Sequence, residues 1–233
     1  MKTLRALCFD LDDTLWEVWP VIRKAEQAMY DFLLERYPRA AEAMTIEAMR
    51  DARARIALDY PHMAHDFTFL RQQALREQAA ACGYPEVMAD EAFEAFIAAR
   101  NRVELYADVR PALQVLQGRY RLFTASNGNA DLGRIGLSHL FERSVAARQV
   151  GVLKPAAAVF LKVLEGTDLA AAEVMYVGDD PHLDVEGARA VGMSTAWVNR
   201  TGAAWPEDIE PATYSVTSLS ELVAVLEVSA SVG

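Results

Sequence analysis

The sequence predicts an α/β fold: a parallel-sheet core, interrupted after its first strand by an α-helical insert. Three observations predict it. Short apolar runs alternate with helical patterns from residue 106 to the end, and such alternation builds right-handed βαβ units with a sheet covered on both faces. A run of the same kind, residues 4–9, stands alone near the start. Between them lies a stretch rich in Ala, Arg and Glu, with helical periodicity and almost no strand signal. The chain thus reads as a Rossmann-like core of residues 1–15 and 106–233 with a helical domain of residues 16–105.

The elements follow in order. Residues 4–9 form the first strand. Val18, Val21, Ile22, Ala25, Met29, Phe32 and Leu33 fall on one helical stripe, which Pro38 ends. Thr45 caps a second helix that runs to about residue 58. A third covers 66–82, with Gly83 as its C-terminal stop. A fourth covers 85–102, with Phe93, Phe96 and Ile97 on its apolar face. In the core, strands at 120–125, 143–146, 174–177 and 194–198 alternate with helices at 111–117, 129–137, 155–164 and 183–191. A final helix covers 219–228.

Composition narrows the function classes. A length of 233 residues allows one large domain or a core with a smaller module. A hydrophobic content of 52% is that of a soluble globular protein. No apolar run reaches the ~20 residues that cross a bilayer. Met1-Lys2-Thr3-Leu4-Arg5 leads straight into the first strand without a signal peptide's cleavage region, so a cytoplasmic protein with no membrane partner is expected. Cys8 and Cys82 are the only cysteines. They lack metal-type spacing, and Cys8 reads as a buried thiol rather than half of a disulfide. A net charge of −10 argues against nucleic acid as a partner. An anionic substrate would need a locally positive site.

Ligands of open parallel sheets bind outside the carboxyl ends of the strands. The first strand ends in Asp10-Leu11-Asp12-Asp13-Thr14, three carboxylates in four positions. Like charges this close repel, and a cation or a reaction explains them better than a polar turn does. Asp10 and Asp12, two residues apart in extended chain, face one site while Leu11 faces the core. The second core strand ends in Ser126-Asn127-Gly128, which offers a hydroxyl and backbone N–H groups where a helix begins and so suits a phosphate; simple capping by Asn127 or Asn129 is the rival. Lys154-Pro155 puts a cation at a helix start, against the dipole. Gly178-Asp179-Asp180-Pro181-His182-Leu183-Asp184 adds three carboxylates, of which Asp180 suits a helix cap and Asp179 a hard cation. Asp10, Asp179 and the backbone oxygen of Asp12 together make an oxygen-only Mg²⁺ site. Ser126 and Lys154 would hold phosphoryl oxygens, Asp10 would attack phosphorus, and Asp12 would serve as acid and then base.

These four segments, in this order, resemble the four motifs of the haloacid dehalogenase superfamily. The resemblance spans the whole chain and implies that the insert is a helical cap domain. Haloacid dehalogenases proper lack the second aspartate of the first motif, so Asp12 points to the phosphatase branch. The resemblance implies Asp10 as nucleophile, Asp12 as acid/base, Ser126 and Lys154 as phosphate holders and Asp179 as a Mg²⁺ ligand. Asp184 would bind the metal through water or orient the other ligands. A narrower similarity, to bacterial phosphatases of flavin metabolism, rests on Phe9-Asp10-Leu11-Asp12-Asp13-Thr14-Leu15, Pro20-Val21-Ile22, Ser126-Asn127-Gly128-Asn129-Ala130 and Val177-Gly178-Asp179-Asp180. It implies FMN or 5-amino-6-(5-phospho-ribitylamino)uracil as the small phosphorylated metabolite. Trp16 stands where such proteins tend to have tyrosine, and Ser126 where threonine is usual. Trp16, Trp19 and His62 are candidates for substrate selection, set against hinge packing and a solvated turn. A phosphomutase and a non-catalytic binding protein on the same fold are the rivals. The sequence leaves oligomeric state open.

Overall fold

The structure is a computed structural model and describes residues 3–231. Met1 and Lys2, the start of the expected lead into the first strand, and the last two residues of the expected core lie outside the described residues. Contacts divide the chain into two units: Met1–Glu17, Glu104–Gly128 and Leu132–Gly233 form one, Val18–Val103 with Asn129–Asp131 the other.

The second unit is helical, with α1 (Val18–Arg36), α2 (Pro38–Ala43), α3 (Ile46–Asp59), α4 (Phe67–Ala81) and α5 (Val87–Arg100). Thr45 is the cap the sequence suggests, and Asp66 is a second. Thr45 accepts from the Ala48 N–H at 3.2 Å, and Asp66 accepts from Thr68 and Phe69 at 2.9 and 3.0 Å. Gly83, at φ 68°, takes the left-handed turn after α4. Pro38 does not simply end a helix: it is the first residue of α2, where its missing N–H costs nothing. Met29, Leu33, Leu75, Met88, Ala92 and Phe96 fill the core of this unit. Beside them Glu26 is buried with its charge met by arginines. Its carboxylate accepts from Arg50 Nε at 2.8 Å and lies 3.6 Å from Arg71 Nη2, whose guanidinium sits 3.7 Å above the Phe96 ring. Burial, reinforced by Arg53, pulls the Arg71 pKa down to about 9.

The first unit is a six-stranded parallel sheet of β1 (Ala6–Phe9), β2 (Arg121–Ser126), β3 (Arg143–Ala146), β4 (Val174–Gly178), β5 (Ser194–Val198) and β6 (Tyr214–Val216), in the order β3-β2-β1-β4-β5-β6. This is the Rossmann-type order, with the topological switch between β1 and β4. Phe9 pairs with Thr124 on one side and Val177 on the other, so the carboxyl ends of the three strands lie side by side. Both central strands are buried throughout, which explains their continuous apolar runs. β6 escapes a periodicity reading because three residues carry no period; pairing with β5 defines it.

The helices of this unit are α6 (Val109–Gln117), α7 (Leu132–Ile135), α8 (Ala147–Val150), α9 (Ala157–Leu164), α10 (Gly187–Ala190) and α11 (Leu219–Ser231). The helix expected at 129–137 shrinks to α7. Gly133 and Gly136 weaken it, Gly136 stands at φ 82°, and residues 129–131 are held elsewhere. Asn129 Nδ2 donates to Thr68 Oγ1 at 3.3 Å, and the Asp131 N–H donates to Asn101 Oδ1 at 2.7 Å. The helix expected at 183–191 is a π-helical turn, Pro181–Glu186, leading into α10. Among the described residues no helix is long and apolar enough to cross a membrane.

Candidate active site

The carboxyl ends of β1, β2 and β4 and the loop before α9 converge on one buried lysine. Asp10 follows β1 directly, its N–H donating to the Val177 carbonyl at 2.9 Å, and it is 7% exposed. Lys154 Nζ donates to Asp10 Oδ1 at 2.7 Å, to Asp184 Oδ1 at 2.6 Å and to the Tyr176 hydroxyl at 3.0 Å. These use all three ammonium protons. Burial opposes the Lys154 charge, but Asp10 and Asp184 outweigh it and hold its pKa above the ordinary value. Tyr176 in turn donates to the Ala125 carbonyl at 2.6 Å, which ties the lysine to β2 and β4 together.

The β4 loop supplies the other carboxylates. Asp179 Oδ1 accepts from the Thr14 hydroxyl at 2.9 Å. Asp180 is an N-cap, accepting from His182 and Leu183 at 2.8 Å each. Asp184 is buried, and its Oδ2 accepts from the Asp180 N–H at 3.0 Å. It packs against Gly178 so closely that a Cβ there would lie 2.2 Å from Asp184 Oδ2, which requires the glycine.

One carboxylate oxygen each from Asp10, Asp179 and Asp184 lie within 4.8 Å of one another. Lys154 alone cannot balance them. Burial, with Asp184 and Asp179 adding to it, lifts the Asp10 pKa well above the carboxylate range against the pull of Lys154. Burial and Asp184 push Asp179 up to about 7. This oxygen-only, charge-crowded donor set fits a hard divalent cation such as Mg²⁺. The three side chains that converge are Asp10, Asp179 and Asp184. The Asp12 carboxylate is not among them.

One Asp12 oxygen is engaged by Trp16: Oδ1 accepts from the Trp16 indole N–H at 2.8 Å. Trp16 itself is 0% exposed, so its ring presents no face for a substrate to stack on. The expectation that Trp16 selects substrate is therefore corrected; the indole is spent on packing and on Asp12. Trp19, 62% exposed, and His62, on the exposed turn after α3, belong to the helical unit.

Ser126 ends β2 nearly buried, its Oγ accepting from the Gly128 N–H at 3.0 Å. The helix start expected just after it is absent, because α7 begins only at Leu132. The Asn127 side chain brackets Lys154, accepting from its N–H at 2.7 Å and donating to its carbonyl at 3.3 Å. Sequence reasoning missed Tyr176, hidden as one more apolar strand residue, and the second layer behind Thr14. The Thr14 carbonyl accepts from Arg200 Nε at 3.0 Å, and Arg200 pairs with both Asp108 oxygens at 3.1 Å. No local signal marks these residues; only their spatial neighbours do.

A family model for haloacid dehalogenase-like hydrolases matches residues 4–192. The chain belongs to this family. Among its relatives, the 5-amino-6-(5-phospho-D-ribitylamino)uracil phosphatase YigB of Escherichia coli is 29% identical, over 84% of this chain and 83% of that protein. The phosphoserine phosphatase of Thermus thermophilus is 31% identical, over 89% of this chain and 92% of that one. The crystal structure of a 2-haloacid dehalogenase from Pseudomonas syringae pv. Tomato DC3000 superposes with a TM-score of 0.91 at 34% identity, covering 97% of this chain and 99% of that one.

Proposed function

We propose that this haloacid dehalogenase-like hydrolase is a Mg²⁺-dependent phosphomonoesterase acting on a small phosphorylated metabolite. The observation that carries the reading is a second carboxylate, Asp12, two residues after the candidate nucleophile Asp10 and beside a cluster that suits a hard cation. Asp10, Asp179 and Asp184 would hold Mg²⁺, with the Asp12 carbonyl; when bound, the ion offsets their charge and that of a phosphoryl group.

The chain's own groups then divide the work. Lys154 holds Asp10 Oδ1, which leaves Oδ2 to attack phosphorus. The P–O bond to the leaving group breaks as the Asp12 carboxyl gives that oxygen its proton. Ser126 has a hydroxyl proton to give a phosphoryl oxygen, while Lys154, its three protons on Asp10, Asp184 and Tyr176, offsets the phosphoryl charge from where it stands. In the second half Asp12 takes a proton from water, the water oxygen attacks phosphorus, and the bond to Asp10 breaks. The products are the alcohol and inorganic phosphate, with both aspartates restored.

The E. coli relative's substrate makes ribityl phosphates, FMN among them, the first compounds to assay, and phosphoserine the next. A dehalogenase is the second reading, favoured by the Pseudomonas syringae structure. Asp12 weighs against it, since displacing a halide needs no proton donor. Incubation with phosphate esters and with a 2-haloacid, each with Mg²⁺ or with EDTA, separates the two. Mg²⁺-dependent phosphate release without halide release is expected; halide release alone overturns the reading.

A further inference from the structure

We propose that Trp16 is a positioning residue for the acid/base carboxylate: its indole N–H holds Asp12 Oδ1 throughout turnover and assigns proton exchange to Oδ2. The inference rests on the phosphomonoesterase reading above. It starts from the turn after β1. Asp13 adopts φ 59°, a left-handed conformation that costs a non-glycine residue energy and persists only where its surroundings impose it. Here the Asp13 N–H donates to the Trp16 carbonyl at 2.7 Å, and the Leu15 N–H donates to the Leu11 carbonyl at 2.8 Å. The next stretch is anchored as well: the Tyr106 N–H donates to the Leu15 carbonyl at 3.1 Å, and Trp16 bridges to both Asp12 and Leu105. The backbone that carries the indole is thus fixed on both sides, and the indole itself is wholly buried.

From that position Trp16 Nε1 reaches Asp12 Oδ1 at 2.8 Å. An indole N–H only donates and does not titrate. Oδ1 can therefore accept from it whether Asp12 is protonated or ionised, and the hydrogen bond it accepts makes Oδ1 the less basic of the two oxygens. The proton given to the leaving group and later taken from water consequently travels on Oδ2. A group that must donate in one half-reaction and accept in the next gains from an anchor that does not change between them. A serine or threonine hydroxyl in Trp16's place could reverse its role and let the carboxyl turn.

The test compares leaving groups through kcat/KM, which reports the phosphoryl-transfer step. Trp16→Phe keeps the apolar bulk and removes the N–H. On an alkyl phosphate, whose leaving oxygen needs a proton, kcat/KM is expected to fall by roughly tenfold or more; on p-nitrophenyl phosphate by no more than about threefold. The Mg²⁺ concentration for half-maximal activity should not move. In an Asp12→Asn background, Trp16→Phe should cost nothing further. Replacing Trp16 with 3-benzothienylalanine, which has the shape of tryptophan with sulfur for N–H, carries the same test if phenylalanine leaves the chain unfolded. Equal losses on both esters, or losses that add to those of Asp12→Asn, overturn the inference and leave Trp16 as packing. A wild-type enzyme that releases no phosphate from any ester overturns the phosphomonoesterase reading, and the inference with it.

Discussion

The two units bury charge in opposite senses. In the sheet unit three carboxylates, Asp10, Asp179 and Asp184, gather around one cation, Lys154. In the helical unit Arg50 and Arg71 gather around one carboxylate, Glu26, with Arg53 near enough to repel Arg71. The excess is negative in one and positive in the other, and the two are supported differently. The arginines lay their long stems and planar heads on the core: Arg71 covers Phe96, and Arg50 keeps its side chain 37% exposed. The aspartates have short side chains at loop ends, with Asp10 and Asp184 buried and Asp179 half-buried. Their repulsion stays in the site, as the raised Asp10 and Asp179 pKa values record. Long arginine side chains let packing absorb part of a positive excess, whereas a negative excess on short side chains keeps its mutual repulsion, which a cation could offset.

The largest expected difference between the units is chemical. Asp10→Asn should lower turnover of a phosphate ester by roughly a thousandfold or more while the chain stays folded; continuous phosphate release beside a thermal melt checks it. Substantial residual turnover would show that the negative cluster is not the reacting one.

The matching change in the helical unit is Glu26→Gln. It leaves Arg71 and Arg50 without their carboxylate and should cost about 3–5 kcal/mol of stability. The turnover number on p-nitrophenyl phosphate should stay within about threefold of wild type at a temperature where the variant is folded. Urea unfolding with parallel kinetics tests this; a thousandfold loss of turnover would erase the distinction between a packing cluster and a chemical one.

The third prediction concerns pH and metal. Asp179 is raised in the folded chain from its ordinary 3.8 to about 7, so between these values the folded state holds the extra proton. Stability from this group is therefore present at low pH and lost as pH rises towards and through about 7. Metal-free protein should melt higher at pH 5 than at pH 8, and Mg²⁺ should stabilise it more at pH 8. A change of about 1 kcal/mol would show as roughly 2–4 °C. Asp179→Asn should reduce the difference and leave the part that the raised Asp10 contributes. An unchanged melting temperature in chelator across this range would contradict the crowding of carboxylates.

The smallest effect is expected behind the site. Arg200→Lys keeps the charge but loses the paired contact to Asp108, and should weaken Mg²⁺ activation by about two- to fivefold through Thr14 and Asp179, with little change in saturated turnover. A Mg²⁺ titration of activity measures it. No shift would mean that the Thr14 hydroxyl holds Asp179 without help from Arg200.

Legibility in the sequence followed the range of the cause. Thr45 is legible as a helix cap because a cap needs only the next three residues, and the buried strands are visible because burial on both faces writes a continuous apolar run. The helix at 129–137 failed because its first residues bond to Thr68 and Asn101, distant in sequence. Asp10, Lys154, Asp179 and Asp184 stand out as charged groups at strand and loop ends, where charge is costly. Tyr176 and Thr14 do not, since a hydroxyl within or beside an apolar strand carries no visible cost until its partner is known.

The sequence by itself determined the parallel sheet, the helical insert and the acidic residues at the carboxyl edge, because period, caps and charge placement are local properties. Only the tertiary structure decided that one lysine is shared by Asp10 and Asp184, that Asn127 pins the lysine's backbone, and that Trp16 turns inward to Asp12 instead of outward to a substrate. Each of these depends on which atoms meet across separate strands and turns, and a hydrogen bond a few tenths of an ångström wide in tolerance is set by the packing of the whole unit, not by spacing along the chain.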